Sequence, residues 1–207
     1  MQKKIKEKKK KVVKILQKSK ENLKSKENLF TKPNIISFLR IPLLFVAIYF
    51  ISVSSYLPAA ILVIFVFLMD LLDGYVARKF REETRFGEVI DEMGDRIVEN
   101  VLFITFAYLQ YLPLWMPILM IIRSIVVDGF ASYYRAMKSG RTENYKQLVR
   151  SDLSRGGYGF LKMLLFAGLV FYPVINPAYQ SLLLWLAVIV ILFSIFRGMV
   201  KIKESVC

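Results

Sequence analysis

Six apolar stretches, near 34–54, 58–79, 88–108, 113–135, 157–174 and 180–200, take up most of the 207-residue chain. Each has, or nearly has, the roughly 20 residues a helix needs to cross a bilayer. The connections between them alternate in chemistry. Those at 52–57, 110–115 and 172–180 carry no charge, whereas 79–85, 135–162 and the 201–203 tail are rich in Lys and Arg. Basic residues collect on the cytoplasmic side of membrane proteins, so the pattern predicts six transmembrane helices with both termini cytoplasmic. A soluble bundle of buried helices would have no reason to sort its loop charge in this way. The expected fold is therefore all-α, a six-transmembrane-helix bundle over residues 33–207, integral to the cell membrane.

The composition contains an apparent conflict: 56% of residues are hydrophobic, yet the formal net charge is +14. A soluble domain is about 45–50% apolar, and a basic nucleic-acid binder would not need the excess. Position resolves the conflict. Residues 1–32 hold thirteen Lys and three Glu, a local +10, which leaves only +4 for everything after them. In that segment Ile5, Val12, Leu16 and Leu23 fall on one side of a helix with Lys elsewhere. This reads as an N-terminal basic amphipathic juxtamembrane helix lying on an anionic membrane surface, the alternative being a solvated basic arm. Membrane lipid is thus an expected partner and nucleic acid is not. The basic part runs too long before apolarity begins for a cleavable signal peptide. There is no histidine, and the single cysteine is Cys207. Proton transfer would fall to carboxylates, Lys, Tyr, a hydroxyl or metal-bound solvent.

The second and third apolar stretches carry charges that a membrane span ordinarily excludes. Asp70 and Asp73 are spaced i,i+3, and Asp91 and Asp95 are spaced i,i+4, so each pair projects from one helical face. A short polar connection predicts that these two helices are antiparallel neighbours, bringing four carboxylates to one depth near the cytoplasmic edge. Four such charges need cations nearby to remain ionised. All-oxygen ligation suits Mg²⁺, Mn²⁺ or Ca²⁺, and two divalent ions are the economical expectation. Gly74, Ala77 and Gly87 leave room for a bulky group between the carboxylates, and Arg78 offers a fork of donors for a phosphate oxygen. Taken singly, such small residues are equally what close helix packing uses.

Asp70-Leu-Leu-Asp73-Gly74-Tyr-Val-Ala77-Arg78, eight residues, then Gly87-Glu-Val-Ile-Asp91-Glu-Met-Gly-Asp95 resembles the signature of the CDP-alcohol phosphatidyltransferase family at every fixed position. The resemblance implies a six-helix membrane enzyme that transfers a substituted phosphate from a CDP-linked lipid, CDP-diacylglycerol or CDP-archaeol, to an alcohol. CMP is released, two divalent cations (Mg²⁺ or Mn²⁺) are required, and a homodimer is expected. Carried over residue by residue, it makes Asp70, Asp73, Asp91 and Asp95 metal ligands, with Asp95 also the base for the attacking hydroxyl. By the same carry-over, Gly74, Ala77, Arg78, Thr84 and Gly87 line the CDP-lipid pocket. Pro33-Asn34-Ile-Ile-Ser37 resembles the family's nucleotide-side element, which adds Asn34 and Ser37 to that pocket. The same residues also read as an ordinary helix start.

The acceptor is less sharply indicated. Arg135, Arg155 and Arg197 stand near expected cytoplasmic helix ends, where the positive-inside rule alone would put them and where a phosphorylated polyol would also need them. Arg123 and Asp128 lie deeper, at an i,i+5 spacing poorly suited to a mutual ion pair, and are candidates for the acceptor pocket. Pro-Asn-Ile-Ile-Ser-Phe-Leu-Arg and Arg123-Ser-Ile-Val-Val-Asp-Gly129 look like glycerol-phosphate-using members of the family. Asp128-Gly-Phe-Ala-Ser132-Tyr-Tyr and the Arg135, Arg155 and Arg197 set look like inositol-using ones. Glycerol 3-phosphate is the first expectation, with inositol or inositol phosphate next and serine after them. An ion-coupled transporter is the competing class, since it too would place carboxylates at membrane depth. It would have no use for the glycines and arginine at these spacings.

Overall fold

In a computed structural model of the chain, residues 32–80, 85–137 and 152–206 are described. The N-terminal basic segment, its expected helix and Thr84 lie outside them. Six helices follow in order: α1 Lys32–Ser52, α2 Tyr56–Phe80, α3 Arg85–Tyr108, α4 Trp115–Met137, α5 Asp152–Val170 and α6 Pro177–Val206. Each covers one predicted apolar stretch, and no strand occurs among the described residues.

Two of the uncharged connections are closed by the same device. α1 ends with Ser54 in the left-handed region (φ 58°), while Ser55 N–H donates to the Phe50 carbonyl at 2.9 Å and Ser54 N–H to that of Ile51 at 3.0 Å. α3 repeats this with Gln110 (φ 62°), Tyr111 N–H to Phe106 (2.9 Å) and Gln110 N–H to Ala107 (3.0 Å). These paired bonds satisfy carbonyls that the end of a helix otherwise leaves open and turn the chain sharply back.

The helices pack as α1 with α2 and α3, α2 with α5, α3 with α4, and α6 with α4 and α5. The expected side-by-side packing of α2 and α3 is therefore corrected: among the described residues these two are not a closely packed pair, and α1 packs against both. The core centres on Phe166 of α5, fully buried. Its ring stacks on Phe67 at 5.8 Å and meets Phe103 edge-on at 5.1 Å, which ties α2 and α3 together through α5.

Large apolar side chains also cover the outside, among them Tyr49, Leu57, Trp185 and Leu192, each more than half exposed. Water would not tolerate so continuous an apolar exterior, whereas lipid tails would. Among the described residues, two helices are long and apolar enough by themselves to cross a membrane, through Ile35–Ser52 of α1 and Pro177–Val200 of α6. In α2 and α5 the apolar run is shorter, Tyr56–Asp70 and Gly156–Val170, and α3 is broken up by its own charged residues.

Candidate functional site

Ion pairs and ring contacts bring together the first half of α1, the later part of α2, the first half of α3, the later part of α4, the first half of α5 and the later part of α6. The charged side chains of the interior come from these places. A cavity of about 800 Å³ lined by Tyr111, Tyr172 and Trp185 lies at the other end, beside the uncharged turns, and takes no part in this cluster.

Arg40 is the organising residue. It lies one turn after Ser37 on α1, and both are buried. Its Nη1 makes an ion pair with Asp70 of α2 and stands 3.5 Å from Asp95 Oδ1 of α3. Its Nη2 is 3.7 Å from Asp91 Oδ1 and donates to the Asp91 main-chain carbonyl at 3.4 Å. One planar guanidinium thus engages three carboxylates from two helices, which its fixed fork of donors permits and a lysine's point charge would not. Gly94 makes the approach possible, because a Cβ at that position would stand 2.6 Å from Arg40 Nη2.

On the far side of Asp95 the network continues. Asp95 Oδ2 is 3.9 Å from Lys162 Nζ of α5, a buried ammonium that also lies 4.7 Å from the centre of the Tyr158 ring. Tyr158 donates its hydroxyl proton to Glu99, and Glu99 pairs with Arg96 at 3.2 Å. Arg96 is 3.4 Å from Asp128 Oδ2 of α4. Arg197 of α6 covers the Tyr158 ring at 5.1 Å, and Arg123 Nε donates to the Ser194 carbonyl at 3.1 Å.

Formal charge divides this cluster into two lobes. Arg40 against Asp70, Asp91 and Asp95 leaves −2, while Lys162, Arg96, Arg123 and Arg197 against Glu99 and Asp128 leave +2. The lobes meet at the contact between Asp95 and Lys162.

Of the expected site residues, Asp70, Asp91 and Asp95 are brought together. Ser37 is buried one turn before Arg40, and Gly87 lies half-buried in the first turn of α3. Asp73, Gly74, Ala77 and Arg78 lie on the last turns of α2, Asn34 on the first turn of α1, Arg135 near the end of α4 and Arg155 near the start of α5; only their helical backbone is described. Asp128 pairs across to Arg96, not within its own helix to Arg123. Arg40, Lys162, Glu99, Arg96 and Tyr158 are the members that sequence reasoning overlooked. The signal was an ionisable residue inside an apolar helix, the same signal that exposed the aspartates.

The family model described as CDP-alcohol phosphatidyltransferase matches residues 30–195. The chain belongs to that family.

Among individual CDP-alcohol phosphatidyltransferase relatives, the Bacillus subtilis protein named CDP-diacylglycerol--glycerol-3-phosphate 3-phosphatidyltransferase is 28% identical over 151 residues, 70% of this chain and 71% of its own length. The Aquifex aeolicus protein of the same name is 39% identical over 64 residues, 31% of this chain and 33% of its own. The chain thus spans only about a third of that relative. A Candida albicans CDP-diacylglycerol--inositol 3-phosphatidyltransferase is 29% identical over 133 residues, covering 61% of this chain and 56% of its own.

The divalent cations implied by membership in the CDP-alcohol phosphatidyltransferase family can be tested against these residues. Among the described residues no three His, Cys, Asp or Glu side chains form a ready ligand group. Asp70, Asp91 and Asp95 nevertheless converge on a single cationic group, and their donors are all hard oxygens. Hard oxygens are the donors that Mg²⁺ and Mn²⁺ take.

Proposed function

We propose that this chain is a membrane phospholipid-synthesis enzyme that transfers the phosphatidyl group of a CDP-linked lipid to the hydroxyl of a small polyol phosphate, glycerol 3-phosphate first, and releases CMP. The division of charge carries this reading. The acidic lobe suits hard divalent cations and, through them, a diphosphate, while the adjoining basic lobe suits an acceptor that is itself an anion. The names of the Aquifex and Bacillus relatives support the same acceptor. Inositol or inositol phosphate is the second reading, favoured by the name of the Candida relative.

In this reading Asp70, Asp73, Asp91 and Asp95 hold two Mg²⁺ or Mn²⁺ ions, which supply neutralisation of the diphosphate and of the departing CMP. Asn34, Ser37, Gly74, Ala77, Arg78, Thr84 and Gly87 seat the CDP group. Arg123, Arg135, Arg155 and Arg197, with Lys162, hold the acceptor's phosphate. The acceptor hydroxyl oxygen attacks the lipid-side phosphorus, the bond from that phosphorus to the CMP oxygen breaks, and CMP leaves with the bonding pair. Asp95 takes the hydroxyl proton, and Lys162 beside it keeps its carboxylate turned toward the acceptor lobe. All six helices cross the membrane, the termini and the site face the cytoplasm, and the enzyme is a homodimer.

The test is CMP release by the purified chain in detergent with CDP-diacylglycerol, Mg²⁺ or Mn²⁺, and separate acceptors. Glycerol 3-phosphate is expected to give turnover. Release with inositol or inositol phosphate alone moves the assignment to the second reading, and no release with any alcohol overturns both.

A further inference from the structure

Three carboxylates gathered at one place repel one another, and a nearby positive charge favours their ionised forms. The fold supplies one in Arg40, which is 1% exposed and cannot lose its charge by deprotonation. A divalent cation arriving at the same oxygens meets a positive charge already in contact with them. We propose that Arg40 is a resident counter-cation of the acidic lobe: it holds Asp70, Asp91 and Asp95 as a preformed ligand set and competes with hard divalent cations for their oxygens. This rests on the metal-dependent reading above and goes beyond it, by giving the carboxylates a second, built-in partner from which a bound cation must draw them while the guanidinium stays on the Asp91 carbonyl.

Two details of the geometry favour exchange over permanent occupation. The guanidinium is hydrogen-bonded to the Asp91 main-chain carbonyl, an anchor that it keeps when the carboxylate side chains rotate toward a metal. It also lies in the groove opened by Gly94, where an added Cβ would approach Nη2 to 2.6 Å. The slot holds Arg40 close to the backbone of α3 without any side chain of Gly94 in the way. Arg40 is therefore a positioning residue, acting through the carboxylates and not on the substrate.

The experiment titrates Mn²⁺ into the full chain in detergent or nanodiscs without lipid substrate, reading free Mn²⁺ by electron paramagnetic resonance. Arg40→Gln removes the competing charge and is expected to bind Mn²⁺ about tenfold more tightly at low ionic strength, while Arg40→Lys stays within about threefold of the parent. Gly94→Ala crowds the guanidinium out of its groove and shifts affinity in the same direction as Arg40→Gln, by less. Metal-free Arg40→Gln melts below the parent, and saturating Mn²⁺ narrows that gap. Unchanged or weaker Mn²⁺ binding by folded Arg40→Gln overturns the proposal. Should that variant fail to fold, unchanged or weaker binding by Gly94→Ala overturns it equally. If the parent binds no Mn²⁺ even with CDP present, the metal-dependent reading itself falls; if the parent binds and the variants do not differ, only the role of Arg40 falls.

Discussion

The Tyr158 hydroxyl donates a hydrogen bond to the Glu99 carboxylate, joining α5 to α3 inside the apolar bundle. Both side chains are buried, so neither can replace the bond with water. Tyr158→Phe leaves one Glu99 oxygen without its donor while the Arg96 pair remains, and is expected to lower stability by about 1–3 kcal/mol. Thermal unfolding in detergent measures it. A melting curve that coincides with the parent's would mean that the hydroxyl contributes nothing.

Asp95 stands between the two lobes, within 4 Å of both Arg40 and Lys162. Asp95→Asn keeps the shape and removes the base, so CMP release should fall by about 10²–10⁴-fold, the range that general base catalysis supplies. Binding of the CDP-linked lipid, followed separately by equilibrium binding, should persist. Near-normal turnover in this variant would reassign the proton acceptor.

Chelation offers a reversible version of the same question. EDTA should stop CMP release, and added Mg²⁺ or Mn²⁺ should restore it, because the acidic lobe has no neutral way of holding a diphosphate. Turnover that continues in EDTA would remove divalent cations from the reaction.

Arg197 reaches the basic lobe across the Tyr158 ring. Arg197→Gln should raise KM for glycerol 3-phosphate by about tenfold, the loss of roughly one charge-assisted contact, with KM for the CDP-linked lipid unchanged. A rise in both constants would point to general disruption of the bundle end.

How far the sequence could carry these conclusions depended on the kind of signal. The helices were legible because each is an apolar run, and the aspartates because charge inside such a run is conspicuous. Arg40 and Glu99 are equally anomalous, but they lie outside the repeated Asp spacing that drew attention to Asp70, Asp73, Asp91 and Asp95. Lys162 was hidden differently: it looks like the last basic residue of a cytoplasmic loop, yet it lies inside α5 and is almost fully buried. Partner choice was the least legible property. Within its own helix Asp128 has only Arg123 for a candidate partner, whereas its partner Arg96 comes from α3, and nothing in the spacing within one helix reports which other helix faces it. The same gap explains why α2 and α3, adjacent along the chain, were expected to pack side by side when α1 packs against both.

The contact between Arg40 and its aspartates also sets an order of events during synthesis. Asp70 lies 30 residues after Arg40 and Asp95 lies 55 after it. At the usual ~5–20 residues per second, several seconds pass between the emergence of the arginine and that of its counter-charges. During that interval α1 must rest in or at the membrane with a guanidinium whose three aspartate partners have not yet been made, supported by the apolar remainder of the helix. The first helix is made early but becomes settled late, when α2 and α3 arrive to surround Arg40.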